Sequence, residues 1–154
     1  MDVRVINPVI TALVDVLTTM AQMNPEIGKP RTKEDNRAPG VVTGIIDLQG
    51  KPKSGSVAIS FSKGVALDLT HRMLRMEVTE IDDQVKDLVG EMANMVAGSA
   101  KRIMEEEGFD FRMTLPTVIA GKDHEIIHKV TGPKIILPFT ADSGEFFIEV
   151  CFQK

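Results

Sequence analysis

An α+β fold, with an antiparallel sheet and three helices packed on one face, is predicted by three observations. Three segments, at 9–23, 63–76 and 82–107, repeat apolar residues at helical spacing. Shorter stretches alternate apolar and polar residues, the period of a half-buried strand. The order is helix, hairpin, two helices, then strands, which favours antiparallel pairing with the helices gathered on one side.

The elements follow in chain order. Asn7-Pro8 reads as a helix start, because Asn caps free amides and Pro suits the first helical position. Residues 9–23 continue at helical spacing until Asn24-Pro25 stops them. The polar stretch 26–40 has room for a short edge strand near 29–33, where charges discourage unwanted sheet pairing. Residues 41–48 and 56–62 form a hairpin around the turn-rich link QGKPKSG, with Val57, Ile59 and Phe61 on one face of the second strand. A helix over 63–76 carries Val65, Leu67, Leu69, Met73 and Leu74. The longest helix begins near Asp82, runs to about Glu107 and ends at Gly108. Strands at 112–120 and 134–140 precede a turn at Gly144 and a last strand at 145–153. There Phe146, Ile148, Val150 and Phe152 oppose Glu149, Cys151 and Gln153.

A chain of 154 residues accommodates one domain, 1–154, with a substantial core. Hydrophobic residues make up 43% and charged residues 26%, an ordinary globular balance. A net charge of −4 and the lack of Trp and Tyr argue against nucleic acid, which calls for a basic face and stacking aromatics. The single cysteine, Cys151, has no internal disulfide partner and reads as a small sheet residue in a reducing compartment. Asn7, Pro8, Thr11 and Asp15 interrupt any signal-peptide core. No apolar run approaches the ~20 residues of a membrane helix. A cytoplasmic protein without membrane contact is expected.

Residues 124–128 read HEIIH, which fits the zinc-peptidase pattern H-E-x-x-H. On a helix, His124 and His128 would hold Zn²⁺ and Glu125 would activate its water. Gly121 and Thr131-Gly132-Pro133 leave at most about ten residues for that helix, too few to stand without strong packing. No third ligand follows at a plausible place, so no metal is expected. His124 and His128 are expected as surface residues of a loop or irregular β segment.

The long helix is more informative. At ~100° per residue, Asp87, Glu91, Asn94, Gly98, Lys101, Arg102 and Glu105 share one side. Val85, Val89, Met92, Ala93, Val96, Ala100 and Ile103 share the other, which should bury on the sheet. Asn94 is a poor mid-helix residue because its amide competes for backbone hydrogen bonds. Gly98 costs up to ~1 kcal/mol relative to Ala. A small residue beside a carboxylate and an amide leaves room for another protein surface to come close.

The run D-x-x-x-E-x-x-N, here DLVGEMANMVAG, resembles the CheC/CheX/FliY family of chemotaxis phosphatases. The opening MDVRVINPVITALVDVLTTM, the central VTGIIDLQG and GSVAISFS, and the closing ILPFTADSGEFFIEV also look CheX-like. The resemblance therefore covers nearly the whole chain. Pro116 falls close to where the family tends to place a proline. CheC-type members carry a second E-x-x-N on their first helix; here that helix has Asp15 followed by Thr18, so one site per chain is CheX-like. The basis for a CheC-like partnership with the deamidase CheD is then missing.

The resemblance implies hydrolysis of the aspartyl phosphate on a CheY-type response regulator. It makes Asn94 the residue that positions the water and Glu91 the residue that docks on the regulator's active-site lysine. Asp87, Gly98, Lys101 and Arg102 become partner-binding residues. It implies no cofactor of the chain's own, since Mg²⁺ is supplied by the phosphorylated response regulator. It also implies a homodimer with sheets meeting edge to edge. The competing reading is a non-catalytic adaptor of the same fold, binding a response regulator or flagellar-switch component.

Overall fold

The computed structural model describes residues 3–51 and 53–153. Three helices, α1 (Val3–Ala21), α2 (Lys63–Leu74) and α3 (Asp83–Glu106), lie on one face of an antiparallel sheet. Its strands are β1 (Glu26–Ile27), β2 (Arg31–Lys33), β3 (Val42–Lys51), β4 (Gly55–Phe61), β5 (Asp110–Met113), β6 (Thr117–Ala120), β7 (Lys134–Ala141) and β8 (Gly144–Phe152). They are ordered β1-β7-β8-β4-β3-β5, with β2 also on β7 and β6 also on β3. The α+β prediction holds.

Alternation decides the two sheet faces. Val57, Ile59 and Phe61 of β4, with Phe146, Ile148, Val150 and Phe152 of β8, point into the helix-side core. They meet Val9, Leu13 and Leu17 of α1 and Val85, Val89, Met92 and Val96 of α3. Phe61, Phe146 and Phe139 stack in a row, with centroids 5.7 and 5.1 Å apart.

Four expectations change. Helix α1 starts at Val3, so Pro8 lies inside it rather than at its head. The extra turn is held by burial of Val5 and by Arg4 over the Phe109 ring, which outweigh the proline's local preference. With that turn, α1 reaches 19 residues and is long and apolar enough to cross a membrane by length and composition. Its Val5, Val9, Ala12, Leu13 and Leu17 are buried in the core. The single strand expected at 112–120 is two, β5 and β6, broken at 114–116. The QGKPKSG link includes Pro52, outside the described residues.

The fourth change concerns HEIIH. Residues 124–128 form no helix; they cross the sheet's far face, where Glu125 bridges Arg37. Ile126 is buried there with Ala38, Ile45 and Ala58. The segment is the expected loop, but His128 is not a surface residue: its side chain is 3% exposed. Its Nε2 faces Glu149 Oε2 at 2.5 Å, and Lys33 Nζ donates to Glu149 Oε1 at 2.6 Å. Glu149 is buried behind β2, and the Lys33 ammonium and the His128 imidazole satisfy it there, because an isolated buried carboxylate is prohibitive. His124, half-buried, meets Thr43 Oγ1 (2.6 Å), which continues to the buried Ser60 Oγ (2.9 Å).

Candidate functional site

Helix α3 is positioned by its cap and by two glycines. Asp82 Oδ1 accepts a hydrogen bond from Val85 N at 3.0 Å, satisfying one free amide of the first turn. Gly44 sits where β3 passes beneath the helix: a Cβ there would lie 2.9 Å from Ala93 Cβ and 3.1 Å from the Val89 carbonyl oxygen. No other residue lets helix and strand approach so closely. Gly90 does the same on the flank, where a Cβ would meet Val118 at 3.2 Å and Pro116 at 3.8 Å. An isolated glycine in the strand pattern VTGII is the sequence signal for such an approach.

The outward side of α3 is then fixed. Asp87, Glu91 and Asn94 are exposed, and Gly98 is half-exposed. Among the described residues no side-chain hydrogen bond or ion pair engages Glu91 or Asn94. Both are therefore available to something outside the chain. A Cβ at Gly98 would meet nothing within 4 Å, so the chain's own packing does not require glycine there. Lys101 is half-buried and paired to Glu105 at 2.5 Å one turn on, while Arg102 is exposed. All six predicted site residues thus lie on the outer side of one helix. Ile103, expected in the buried stripe, is half-buried, and Met104 takes its place in the core.

Cys151 is buried, 1% exposed, on the opposite sheet face. Burial first, and then the charge of Glu149, push its thiol pKa up, which keeps it from acting as a nucleophile. The same neighbourhood acts oppositely on Glu149. Burial works to raise its pKa, but the His128 hydrogen bond and the Lys33 ammonium together hold it below 4.5. Among the described residues no group of three or more His, Cys, Asp or Glu is placed to hold a metal ion.

A family model described as Chemotaxis phosphatase CheX matches residues 42–140, a span that contains all of α3. The chain belongs to the CheX family. It is 31% identical to the CheY-P phosphatase CheX of Thermotoga maritima, over 96% of this chain and 94% of that one. A CheC-like superfamily protein from Shewanella sp. PV-4 superposes with a TM-score of 0.93 at 44% identity, covering 100% of both chains. A CheX from Borrelia burgdorferi, solved as a CheX–CheY–BeF3–Mg²⁺ complex, superposes at 0.83 with 27% identity, over 97% of this chain and 98% of that one. The CheX fold and its place in chemotaxis signalling thus agree with the resemblance first seen around Glu91 and Asn94.

Proposed function

We propose that this chain hydrolyses the aspartyl phosphate of a CheY-type response regulator, with Asn94 and Glu91 as the residues that do it. The observation that carries this reading is a carboxylate and a carboxamide three residues apart, exposed and without internal partners, on a helix seated firmly on the sheet. Small-molecule sites are concave. An exposed helix side suits a protein substrate that brings its own pocket. The Borrelia relative's complex with CheY supports a response regulator as that partner.

An acyl phosphate needs a water held in line with the phosphorus–oxygen bond to be broken. The Asn94 carboxamide accepts a hydrogen bond from that water and donates one to a phosphoryl oxygen, adding no repulsive charge. The water attacks phosphorus, the bond to the aspartyl oxygen breaks, inorganic phosphate leaves and the regulator's carboxylate is restored. Positioning of this kind, at ~10²-fold, lowers the barrier by about 2.7 kcal/mol. Glu91 pairs with the regulator's active-site lysine, a charge-assisted contact that sets register. Mg²⁺ arrives with the regulator and neutralises phosphoryl charge. Asp87, Gly98, Lys101 and Arg102 extend the contact, and the work is done in the cytoplasm where such regulators act.

The test is phosphate release from a CheY-type regulator, phosphorylated with a small-molecule donor, at catalytic amounts of this protein. Acceleration that disappears in Asn94→Ala while binding persists supports the assignment; full activity in that variant overturns it. Glu91→Ala should weaken binding and turnover together. Binding without acceleration by the wild type would leave the adaptor reading. A homodimer joined sheet edge to sheet edge belongs to the same proposal, and a monomer by light scattering at micromolar concentration would refute it.

A further inference from the structure

The break between β5 and β6 is a β-bulge beside the candidate site. Leu48 pairs with Met113, and Ile45 pairs with Thr117. Between those pairs β3 contributes two residues, while the opposite chain contributes Thr114, Leu115 and Pro116. Pro116 has no amide proton to donate, so the ladder cannot run through it. Thr114 keeps the bulge rigid: its backbone N–H donates to the Asp47 carbonyl at 3.0 Å, and its hydroxyl accepts from Asp47 N at 3.0 Å. Leu115 is thereby pushed out to 87% exposure, above every other exposed large apolar residue described. A lone exposed leucine needs no explanation. A leucine held rigidly outward by a bulge packed on the active helix does, since bulges re-aim side chains next to functional sites.

We infer that Leu115 is an apolar docking residue for the phosphorylated response regulator, adding affinity and partner choice without touching the reacting atoms. The inference rests on the reading of Glu91 and Asn94 as the catalytic pair. Its support is continuity. Pro116 and Val118 border Gly90, which precedes Glu91 and lies one turn before Asn94. The bulge therefore stands about 10 Å from the pair, one turn plus a side-chain contact. A modest protein interface covers roughly 600–800 Å² per partner, a disc about 14–16 Å in radius. A partner of that footprint centred on Glu91 and Asn94 reaches the bulge, where the apolar surface of Leu115 is almost wholly available for burial.

The experiment compares Leu115→Ala, Leu115→Asp and Leu115→Met in the full chain, measuring kcat and KM for regulator dephosphorylation and direct binding by titration. Leu115→Ala is expected to raise KM about tenfold, a loss of about 1.4 kcal/mol, with kcat unchanged. Leu115→Asp should raise it further, and Leu115→Met should stay near wild type. The exposed position leaves folding intact in all three, checked by thermal melting. An unchanged KM in Leu115→Asp overturns the inference while the catalytic reading, tested by Asn94→Ala, stands. A wild type that binds without hydrolysing, with binding lost in Leu115→Asp, keeps the docking role and fails the catalytic one. Loss of the dimer in Leu115→Asp with an unchanged KM assigns the residue to a second copy of the chain and also overturns the inference. A wild type that neither binds nor hydrolyses overturns both.

Discussion

Replacing Gly98 by Ala should make this protein more stable and a worse enzyme. Gly98 lies inside α3, where glycine is less favourable than alanine by about 0.8–1 kcal/mol. A Cβ there meets nothing within 4 Å, so no clash reduces the gain and no new packing enlarges it. The expected stabilisation is about 0.5–1 kcal/mol, which in a domain of this size raises Tm by about 1–4 °C. If the regulator's surface lies against Gly98, the added methyl must be accommodated by the partner, and KM should rise several-fold. Gly98→Gln extends the series: its helix propensity stays close to that of Ala, so the stability gain remains while the longer side chain raises KM further. Urea unfolding and thermal melting read the first effect, and steady-state dephosphorylation reads the second. A stability gain with KM unchanged in both variants would remove Gly98 from the docking surface. A loss of stability would refute the packing argument itself.

Glu149→Ala should destabilise the protein by about 3–5 kcal/mol, because it strands the His128 and Lys33 partners behind the loop; a urea midpoint close to wild type would contradict this. The pH dependence has a definite sign. The folded pKa of Glu149 lies below 4.5, so its contacts with His128 and Lys33 stabilise fully above that pH and fade as pH falls through the lower folded value. The stability difference between wild type and Glu149→Gln should therefore narrow on acidification below 4.5, and a widening gap would be incompatible with a lowered pKa. Gly44→Ala should cost about 1–3 kcal/mol and lower kcat by lifting the turn that carries Asn94. Ala93→Gly added to it should restore part of both, and failure of that rescue would show that helix and strand adjust independently.

The outer side of α3 was legible because helical periodicity is a local property: six polar positions, a glycine and an opposing apolar stripe predict their own burial. Asn94 and Gly98 stood out for the same reason, each being a poor mid-helix residue. What sequence missed depended on distant partners. Pro8 looked like a helix start because the Val5 and Arg4 contacts that extend α1 lie at the far end of the chain fold. The 112–120 segment looked like one strand because the bulge exists only opposite Asp47, more than sixty residues earlier. His128 looked exposed because nothing near it in sequence predicts Glu149 and Lys33. Gly44 carried a readable cue, a glycine inside a strand pattern, but its partner Ala93 did not.

The division of the sheet into two faces has a consequence for how this protein can change. Glu91 and Asn94 make no contact that the fold depends on, while the residues that anchor their helix, Gly44, Gly90 and Ala93, lie beneath it and out of a partner's reach. The proposed recognition residues and the residues that hold the fold are therefore separate sets. If the proposed docking surface is right, the outer side of α3 and the tip of the neighbouring bulge can be rewritten for a different regulator, by mutation or by transplantation, without renegotiating the architecture that holds them.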